Sequence, residues 1–301
     1  MPKSRFLLAV TVALGIALCA GSLLAADPGA MPQLKMGVGA RALGMGGAFT
    51  AIADDATACY WNPAGLTKIE NIEATFMYTA NMAVDRQVNY FAYAQWLGVG
   101  GLGVSWLNSG MMDMPRNDKN GINTGVDNYA GNSIALSYGM EVGSLMVGAS
   151  AKVLHQNVMG NGSETGFGLD AGGLFNVTDN VTAGMMIRDI GSHYNDFDVP
   201  LNWRFGTAVH AMDGALTVGI DVDKSQNLNR FDIHLGGEYG LEFRPGYHTF
   251  FRAGLNGVRD QAFTAGLGIR VPYVQFDYTY VTENDEEVLG NNHRISVTAR
   301  F

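Results

Sequence analysis

Hydrophobic and polar residues alternate one by one through most of the chain, from about residue 69 to the C-terminus. In the last segment one face carries Ile295, Val297, Ala299 and Phe301, and the other carries Arg294, Ser296, Thr298 and Arg300. A period of two residues is that of a β-strand, whose successive side chains point to opposite faces. The pattern therefore predicts a succession of strands separated by turn residues.

Fourteen such segments follow one another along the sequence. They are residues 69–79, 86–97, 99–107, 128–139, 144–157, 164–177, 181–189, 201–212, 214–223, 228–240, 246–257, 260–271, 272–283 and 291–301. The number is even, as in single-chain outer-membrane barrels, and the segments are long enough to cross a bilayer at a tilt. Because strand boundaries read from a sequence shift by a few residues, twelve and sixteen strands also fit the pattern.

The connections between these segments alternate in length. Residues 97–101, 140–143 and 178–180 form tight turns, whereas residues 108–128 form the longest predicted loop. Short turns at one end and longer loops at the other are typical of a membrane barrel. The long loop contains Met111, Met112 and Met114, which are either an adaptable apolar contact surface or part of an ordinary exposed loop.

Alternation alone does not separate a membrane barrel from a secreted β-sandwich, because both have one apolar and one polar face. Here the apolar face is long and aromatic in strand after strand, and the polar face mixes glycine with arginine, aspartate and histidine. Phe301, with apolar residues at alternate positions before it, resembles the C-terminal assembly signal of bacterial outer-membrane barrels, although Ala299 stands where an aromatic residue is common. We therefore expect an all-β transmembrane barrel of about fourteen antiparallel strands, inserted into outer-membrane lipid by the barrel assembly machinery.

The N-terminus indicates export. Lys3 and Arg5 precede an unbroken apolar run at residues 6–26, which ends in small residues. This order predicts a secretory signal peptide at residues 1–26 that is cleaved during export to the outer membrane of a Gram-negative-type bacterium. The alternative is an uncleaved membrane-anchoring helix, since the run is almost long enough to span a bilayer.

The charge balance excludes one class of partner. Cleavage would remove two of the 19 basic residues and none of the 28 acidic ones, which leaves 17 basic residues and a net charge of −11. Nucleic acid is therefore not expected as a partner, because its phosphates bind basic surfaces. Cys59 would be the remaining cysteine. A packed apolar role is expected for its thiol, with a reactive role as the alternative.

Residues 27–68 do not alternate and are rich in glycine and alanine. Gly44, Gly46 and Gly47 lack the third glycine of the dinucleotide-binding fingerprint, so no cofactor is expected. Asp54 and Asp55 have no third carboxylate at the spacing of a calcium-binding loop, so no metal is expected either. We expect one aspartate to cap a short helix through residues 56–61, and the following Asn-Pro pair to stop it. Pro63 would then begin a second helical turn that Gly65 closes.

The stretch "GARALGMGGAFTAIADDATACYWNPAGL" at residues 39–66 resembles the N-terminal signature of the PorV/PorQ family of bacterial outer-membrane proteins. Its "ADDA…NPA" core is also similar to the wider FadL-like transporters of hydrophobic compounds. The resemblance implies a barrel, residues 69–301, whose N-terminal segment, residues 27–68, folds inside it as a plug. The signature residues of this plug are Gly44, Gly46, Gly47, Asp54, Asp55, Trp61, Asn62, Pro63 and Gly65.

The polar strand faces supply charges of both signs for the lumen. They are Arg188, Arg204, Arg230, Arg252, Arg270, Arg294 and Arg300, together with Asp170, Asp221, Asp232, Glu238 and Asp277. Charges in a confined, partly buried space favour pairing. Asp54 and Asp55 are therefore predicted to pin the plug to some of the arginines of the wall.

The family resemblance implies a non-enzymatic component of outer-membrane protein traffic, which binds exported proteins in type IX secretion and helps attach them at the surface. The alternative is a plugged channel for passive uptake of hydrophobic small molecules. That function needs an apolar pocket leading past the plug near Phe49, Tyr60 and Trp61. No enzyme is expected, because the predicted lumenal histidines, His210, His234 and His248, have no accompanying serine or acid constellation.

Overall fold

The computed structural model describes residues 32–80, 86–118, 120–158, 162–194, 197–226, 231–257, 262–282 and 292–301. Fourteen strands are numbered here in chain order. They are β1 (Ile72–Ala80), β2 (Arg86–Trp96), β3 (Gly101–Asn117), β4 (Asn123–Val142), β5 (Leu145–Val158), β6 (Gly162–Thr178), β7 (Val181–Tyr194), β8 (Asn202–Ala211), β9 (Leu216–Ser225), β10 (Asp232–Arg244), β11 (Tyr247–Asn256), β12 (Ala262–Val271), β13 (Val274–Val281) and β14 (Asn292–Arg300). A two-residue strand, Phe197–Asp198, pairs with the end of β7.

The fourteen strands form one closed antiparallel ring. Each strand pairs with its neighbours in sequence, and β1 pairs with β14, with Phe76 opposite Val297, to complete the circle. Closure removes the exposed edge strands that an open sheet would present, so every strand of the ring has a hydrogen-bonded neighbour on both sides. The prediction of an all-β antiparallel barrel of about fourteen strands is confirmed.

The prediction of a long loop at residues 108–128 is wrong. β3 and β4 continue their ladder into this region, with Met111 opposite Tyr129 and Met114 opposite Asp127. The register shifts once between these two pairs, which marks a β-bulge. The hairpin ends in a short turn where the Asp118 carboxylate accepts hydrogen bonds from the backbone N–H groups of Asn120 and Ile122. The sequence there lacks an apolar face, so its periodicity did not reveal the strands.

The two faces of the wall are inverted relative to a water-soluble protein. On β13, Phe276 is 54% exposed on the outside, whereas its neighbour Asp277 is 3% exposed on the inside. The same outward apolar side chains recur around the ring, as with Phe91, Leu136 and Leu267. An apolar band that encircles the molecule is far larger than the patches that water-exposed surfaces carry, and it matches the lipid-facing belt of a membrane barrel.

Residues 32–68, called the plug below, lie inside the ring. They comprise a 3₁₀-helix at Pro32–Lys35, α1 (Ala40–Gly44), α2 (Ala58–Trp61) and a second 3₁₀-helix at Pro63–Lys68. The apolar core of the molecule sits here, with Leu43, Phe49, Ile52, Trp61 and Leu66 almost completely buried. In the described part of the chain, no helix has the length and apolarity to cross a membrane. The predicted signal peptide at residues 1–26 lies outside the described residues.

Candidate functional site

The plug rests directly on the backbone of the barrel wall. Glycines on the inner face allow this approach because they have no Cβ atom. A Cβ on Gly236 of β10 would overlap the carbonyl oxygen of Met45, and one on Gly148 of β5 would overlap the backbone nitrogen of Ala64. The glycines on the polar faces of the strands therefore make room for the plug.

Three signature glycines form the turn after α1 that fits into this wall. Gly46 has a φ of +62°, and its N–H donates to Thr264 Oγ1 at 3.1 Å. The Thr264 hydroxyl in turn donates to the carbonyl of Gly44 at 3.0 Å. Gly47 has a φ of +74°, and its carbonyl accepts from Arg204 Nη2 at 2.9 Å. The turn is thus bonded to β8 and β12 through its main chain.

Arg41 of α1 makes ion pairs both within the plug and with the barrel wall. Its Nη1 lies 2.5 Å from Asp54 Oδ1 and 3.1 Å from Asp55 Oδ2. Its Nη2 and Nε contact the two carboxylate oxygens of Glu238 on β10 at 2.9 and 3.0 Å. A guanidinium that binds carboxylates along two of its edges fixes its own plane as well as its partners. Arg41 therefore ties two parts of the plug to the wall.

The charge network continues into the wall. Glu238 Oε2 accepts from Arg252 Nε at 2.6 Å, and Arg252 Nη1 contacts Asp277 Oδ1 at 2.8 Å. Asp277 also accepts from the side-chain amide of Gln275. This chain of alternating charges has members on β10, β11 and β13 and so reaches across β12, which lies between the last two.

The prediction that Asp54 and Asp55 bind arginines of the wall is wrong for the contacts the structure shows. Both carboxylates bind Arg41, which belongs to the plug itself. Asp55 also accepts hydrogen bonds from the backbone N–H and the hydroxyl of Thr57, so it forms the turn that leads into α2. Arg41 lies only 13 residues before Asp54, and the compact fold of the plug brings it closer than any wall arginine.

The Asn-Pro pair begins the second 3₁₀-helix, as expected from the sequence. Asn62 Oδ1 accepts from the N–H of Ala64, and Pro63 occupies the first helical position. Gly65 does not close the turn, because the helix continues to Lys68. A Cβ at Gly65 would overlap the carbonyl oxygen of Ala53. That glycine therefore serves close packing within the plug rather than helix termination.

The remaining predicted lumen charges differ in what they touch. Arg294 Nη1 contacts the carbonyl oxygens of Met36 and Gly37, both at 3.3 Å, and so also holds the plug. Arg270 donates to Gln275 of the wall. Asp232 is half-buried at the start of β10, and Arg230 lies outside the described residues. Phe301, the predicted assembly signal, is exposed at the end of the chain and pairs through its backbone with Ile72.

An aromatic cluster faces two small cavities beside the plug. Tyr60 and Trp61 pack edge to face, with ring centroids 5.1 Å apart. The larger cavity, about 60 Å³, is bordered by Trp61 and by Arg188, Arg204 and His234. The smaller, about 30 Å³, is bordered by Tyr60. With the plug in this position the spaces suit a few water molecules or a small polar group, and a larger molecule needs part of the plug to move.

In place of the apolar pocket expected near Phe49, Tyr60 and Trp61, the structure has two small cavities with both apolar and charged walls. Phe49 is fully buried against Trp61 and borders neither cavity. The walls of both cavities carry charged side chains from the strands. The lining is mixed because the inner faces of the strands are polar, whereas the plug brings apolar and aromatic side chains to meet them.

The structure also shows the surroundings of the Cys59 thiol and of the predicted lumenal histidine His234. Cys59 is buried, and burial raises the pKa of its thiol to about 12, which favours the packed interpretation over the reactive one. His234 bridges the carbonyl of Gly46 and the carboxylate of Asp223. Among the described residues no group of three or more metal-binding side chains comes together.

The Arg41–Asp54 contact should make the hold on the plug depend on pH. Partial burial acts to raise the pKa of Asp54, but the Arg41 guanidinium outweighs it and lowers the pKa to about 2. A carboxyl with a lowered folded-state pKa stabilises the fold above its usual pKa of about 4, and this stability is lost as the pH falls toward about 2. We expect Asp54→Asn to weaken plug retention near neutral pH and to match the wild type near pH 2. Ion conductance in planar bilayers at several pH values measures this, and a constant difference down to about pH 2 would contradict it.

Asn62→Asp should unseat the end of the plug. Asn62 Nδ2 donates to the carbonyls of Thr50 at 3.0 Å and Gly173 of β6 at 3.1 Å. An aspartate of the same shape has no N–H to donate and places a negative charge against both oxygens. We expect a loss of about 2–3 kcal/mol, measured as a lower temperature at which the barrel loses its compact migration on a denaturing gel. Asn180→Asp, the same change in an exposed turn, should leave that temperature unchanged.

The fold is a closed antiparallel barrel of fourteen strands whose lumen is filled by an N-terminal segment. Residues 26–209 match the model of an uncharacterised protein family, UPF0164, and the chain belongs to that family. No curated protein matches the chain.

Solved structures with the same fold include two toluene transporters and a FadL homologue. The toluene transporter TbuX of Ralstonia pickettii is 14% identical with a TM-score of 0.66, covering 88% of this chain and 98% of its own. The toluene transporter TodX of Pseudomonas putida is 12% identical with a TM-score of 0.60, covering 87% and 96%. A FadL homologue of Pseudomonas aeruginosa is 12% identical with a TM-score of 0.56, covering 85% and 96%. At these identities the similarities show a shared fold, and the PorV/PorQ resemblance of the signature stays a prediction.

Proposed function

We propose that the protein is a non-enzymatic, plugged channel of the outer membrane that admits hydrophobic small molecules. The observation that carries the proposal is the plug: residues 32–68 fill a barrel that shares its fold with two toluene transporters. A lumen closed at rest keeps ions and water-soluble molecules out. Passage of a larger molecule then requires part of the plug to move.

The contacts of the plug favour a local movement over complete expulsion. The Arg41–Glu238 contact and the Gly46 turn bind one side of the plug to β10 and β12. Another part of the plug, at Tyr60 and Trp61, borders the two cavities. A region with cavities can rearrange at a lower cost than a close-packed one. We infer that molecules pass along the Tyr60–Trp61 flank while the Arg41 side stays attached.

A second candidate is a role in outer-membrane protein traffic. The 28-residue signature at residues 39–66, which resembles that of the PorV/PorQ family, favours it. In that case the plug would remain closed and the outer rim would bind exported proteins. The two functions differ in one measurable property, which is whether a hydrophobic solute crosses the membrane through the barrel.

The test is uptake of radiolabelled toluene by a Gram-negative host that lacks its own channels of this class. Cells that produce the full chain in the outer membrane should take up toluene faster than cells with an empty vector. A matched variant with cysteines that crosslink the Tyr60–Trp61 flank to β7 should lose this gain, and a reducing agent should restore it. Equal uptake with and without the protein would overturn the channel. Specific retention of exported proteins on the same cells would then favour the traffic role.

A further inference from the structure

Arg188 of β7 has an unusual position for an arginine. Its side chain is buried, with 6% of the residue exposed. The Nε and Nη2 atoms have no hydrogen-bond partner in the part of the chain that the structure describes. Buried guanidinium groups are normally fully hydrogen-bonded, because leaving such donors unpaired is costly. A partner from outside the chain is therefore expected at this position.

The two free atoms lie on the same edge of the guanidinium plane. Donors on that edge point in parallel and match the two oxygens of a carboxylate. The guanidinium carbon lies over two aromatic rings, 4.3 Å from the Tyr60 ring centroid and 5.7 Å from that of Trp61. Stacking on these rings fixes the direction of the free edge.

The nearest carboxylates of the protein are committed elsewhere. Lys152 Nζ contacts Asp170 Oδ1 at 2.7 Å and Asp189 Oδ1 at 2.5 Å. Asp170 Oδ1 also accepts from the backbone N–H of Asp189 at 2.9 Å. This triad lies beside Arg188 and leaves its Nε and Nη2 without a bond.

Arg188 borders both cavities beside the plug. The larger one also has apolar walls, from Leu34, Leu43 and Trp61. Two residues that line this cavity show where it lies: Asn202 is the first residue of β8, and Asn256 is the last residue of β11. Both positions are at the end of the barrel that carries the longer connections. A molecule that enters from this end meets the guanidinium edge and the aromatic rings together.

We propose that Arg188 is a binding site for the carboxylate of a small organic anion, whose apolar part lies against Trp61 and Tyr60. The inference rests on the proposed function, because it assigns a polar group to the molecules that pass the plug. A pure hydrocarbon offers no acceptor for the two donors. An aromatic carboxylate offers both an acceptor and a ring that packs against the cluster.

The experiment compares three probes of similar shape on the purified full chain in detergent: benzoate, benzamide and toluene. Isothermal titration should show that benzoate binds at least about tenfold more tightly than neutral benzamide, since charge-assisted bidentate hydrogen bonds are the stronger kind. Arg188→Met should abolish this preference. Arg188→Lys should lose most of it, because lysine keeps the charge but lacks the planar edge. Arg116→Met, a change on the exposed β3–β4 hairpin, is the control and should keep it.

Equal affinity of the wild type for benzoate and benzamide would overturn the site and indicate that water alone occupies the edge. Benzoate binding that survives Arg188→Met in a heat-modifiable, folded barrel would overturn it as well. The toluene uptake assay is independent of this result. Toluene uptake without Arg188-dependent benzoate binding would refute the proposed site and support the channel. Benzoate binding without any toluene uptake would refute the channel and support the site.

Discussion

Arg41→Gln is expected to loosen the plug more than any other single charge removal. The variant leaves Asp54 and Asp55 beside each other without their shared cation, and Glu238 keeps only Arg252. Breaking a buried ion pair by removing one partner costs about 3 kcal/mol or more. Such a loss raises the population of barrels with a displaced plug on the order of 100-fold. Ion conductance of the protein in planar bilayers measures that population directly.

Two further variants separate electrostatics from simple packing loss. Asp54→Asn added to Arg41→Gln should restore part of the closure, because it removes one of the stranded charges; a double-mutant cycle gives the coupling. Glu242→Gln, on the same strand as Glu238 but with a half-exposed side chain, should conduct like the wild type. If Arg41→Gln conducts no more than this control, the Arg41 network does not hold the plug.

Gly46→Ala is expected to have the second large effect. A Cβ at this position would lie 2.5 Å from the carbonyl oxygen of Leu255 and 2.6 Å from that of Leu235. Both oxygens belong to the backbone of the wall, so neither can move without disturbing β10 or β11. The φ of +62° adds left-handed strain of about 1–2 kcal/mol. We expect the plug to be displaced and to become accessible to protease.

Gly143→Ala is the matched control for this prediction. Gly143 has a φ of +64°, almost that of Gly46, but no atom lies within 4 Å of its added Cβ. The control therefore carries the backbone strain without the collision. Limited proteolysis and heat-modifiable migration should show a small change for Gly143→Ala and a large one for Gly46→Ala. Equal effects would mean that strain, and not contact with the wall, dominates at Gly46.

The signature of this chain and its fold are similar to proteins of different function. The signature at residues 39–66 resembles that of a protein-traffic family, whereas solved structures of the same fold are toluene transporters. The lumen adds a third consideration, because charged side chains line its cavities. The proposed channel, for molecules that carry a polar group on an otherwise apolar body, is consistent with that lining.

The sequence alone was sufficient for the wall of the barrel. Alternation is a local property: in Phe276 and Asp277 it assigns one side chain to lipid and the next to the lumen, whatever the rest of the chain does. It failed in the β3–β4 hairpin, as at Met114, because the sequence there does not alternate. The plug was found through the resemblance of one motif, since periodicity says nothing about residues 32–68.

Only the tertiary structure decided which groups meet inside the barrel. Asp54 finds Arg41 rather than an arginine of the wall, Gly46 meets two carbonyl oxygens from β10 and β11, and Arg188 keeps a free edge. Each of these contacts depends on the register of the whole ring and on how the plug sits in it. A side chain's face is set by its own strand, but its partner is set by residues far away in sequence. The local pattern therefore determined the strands of the wall, and the closure of the ring determined which side chains meet in the lumen.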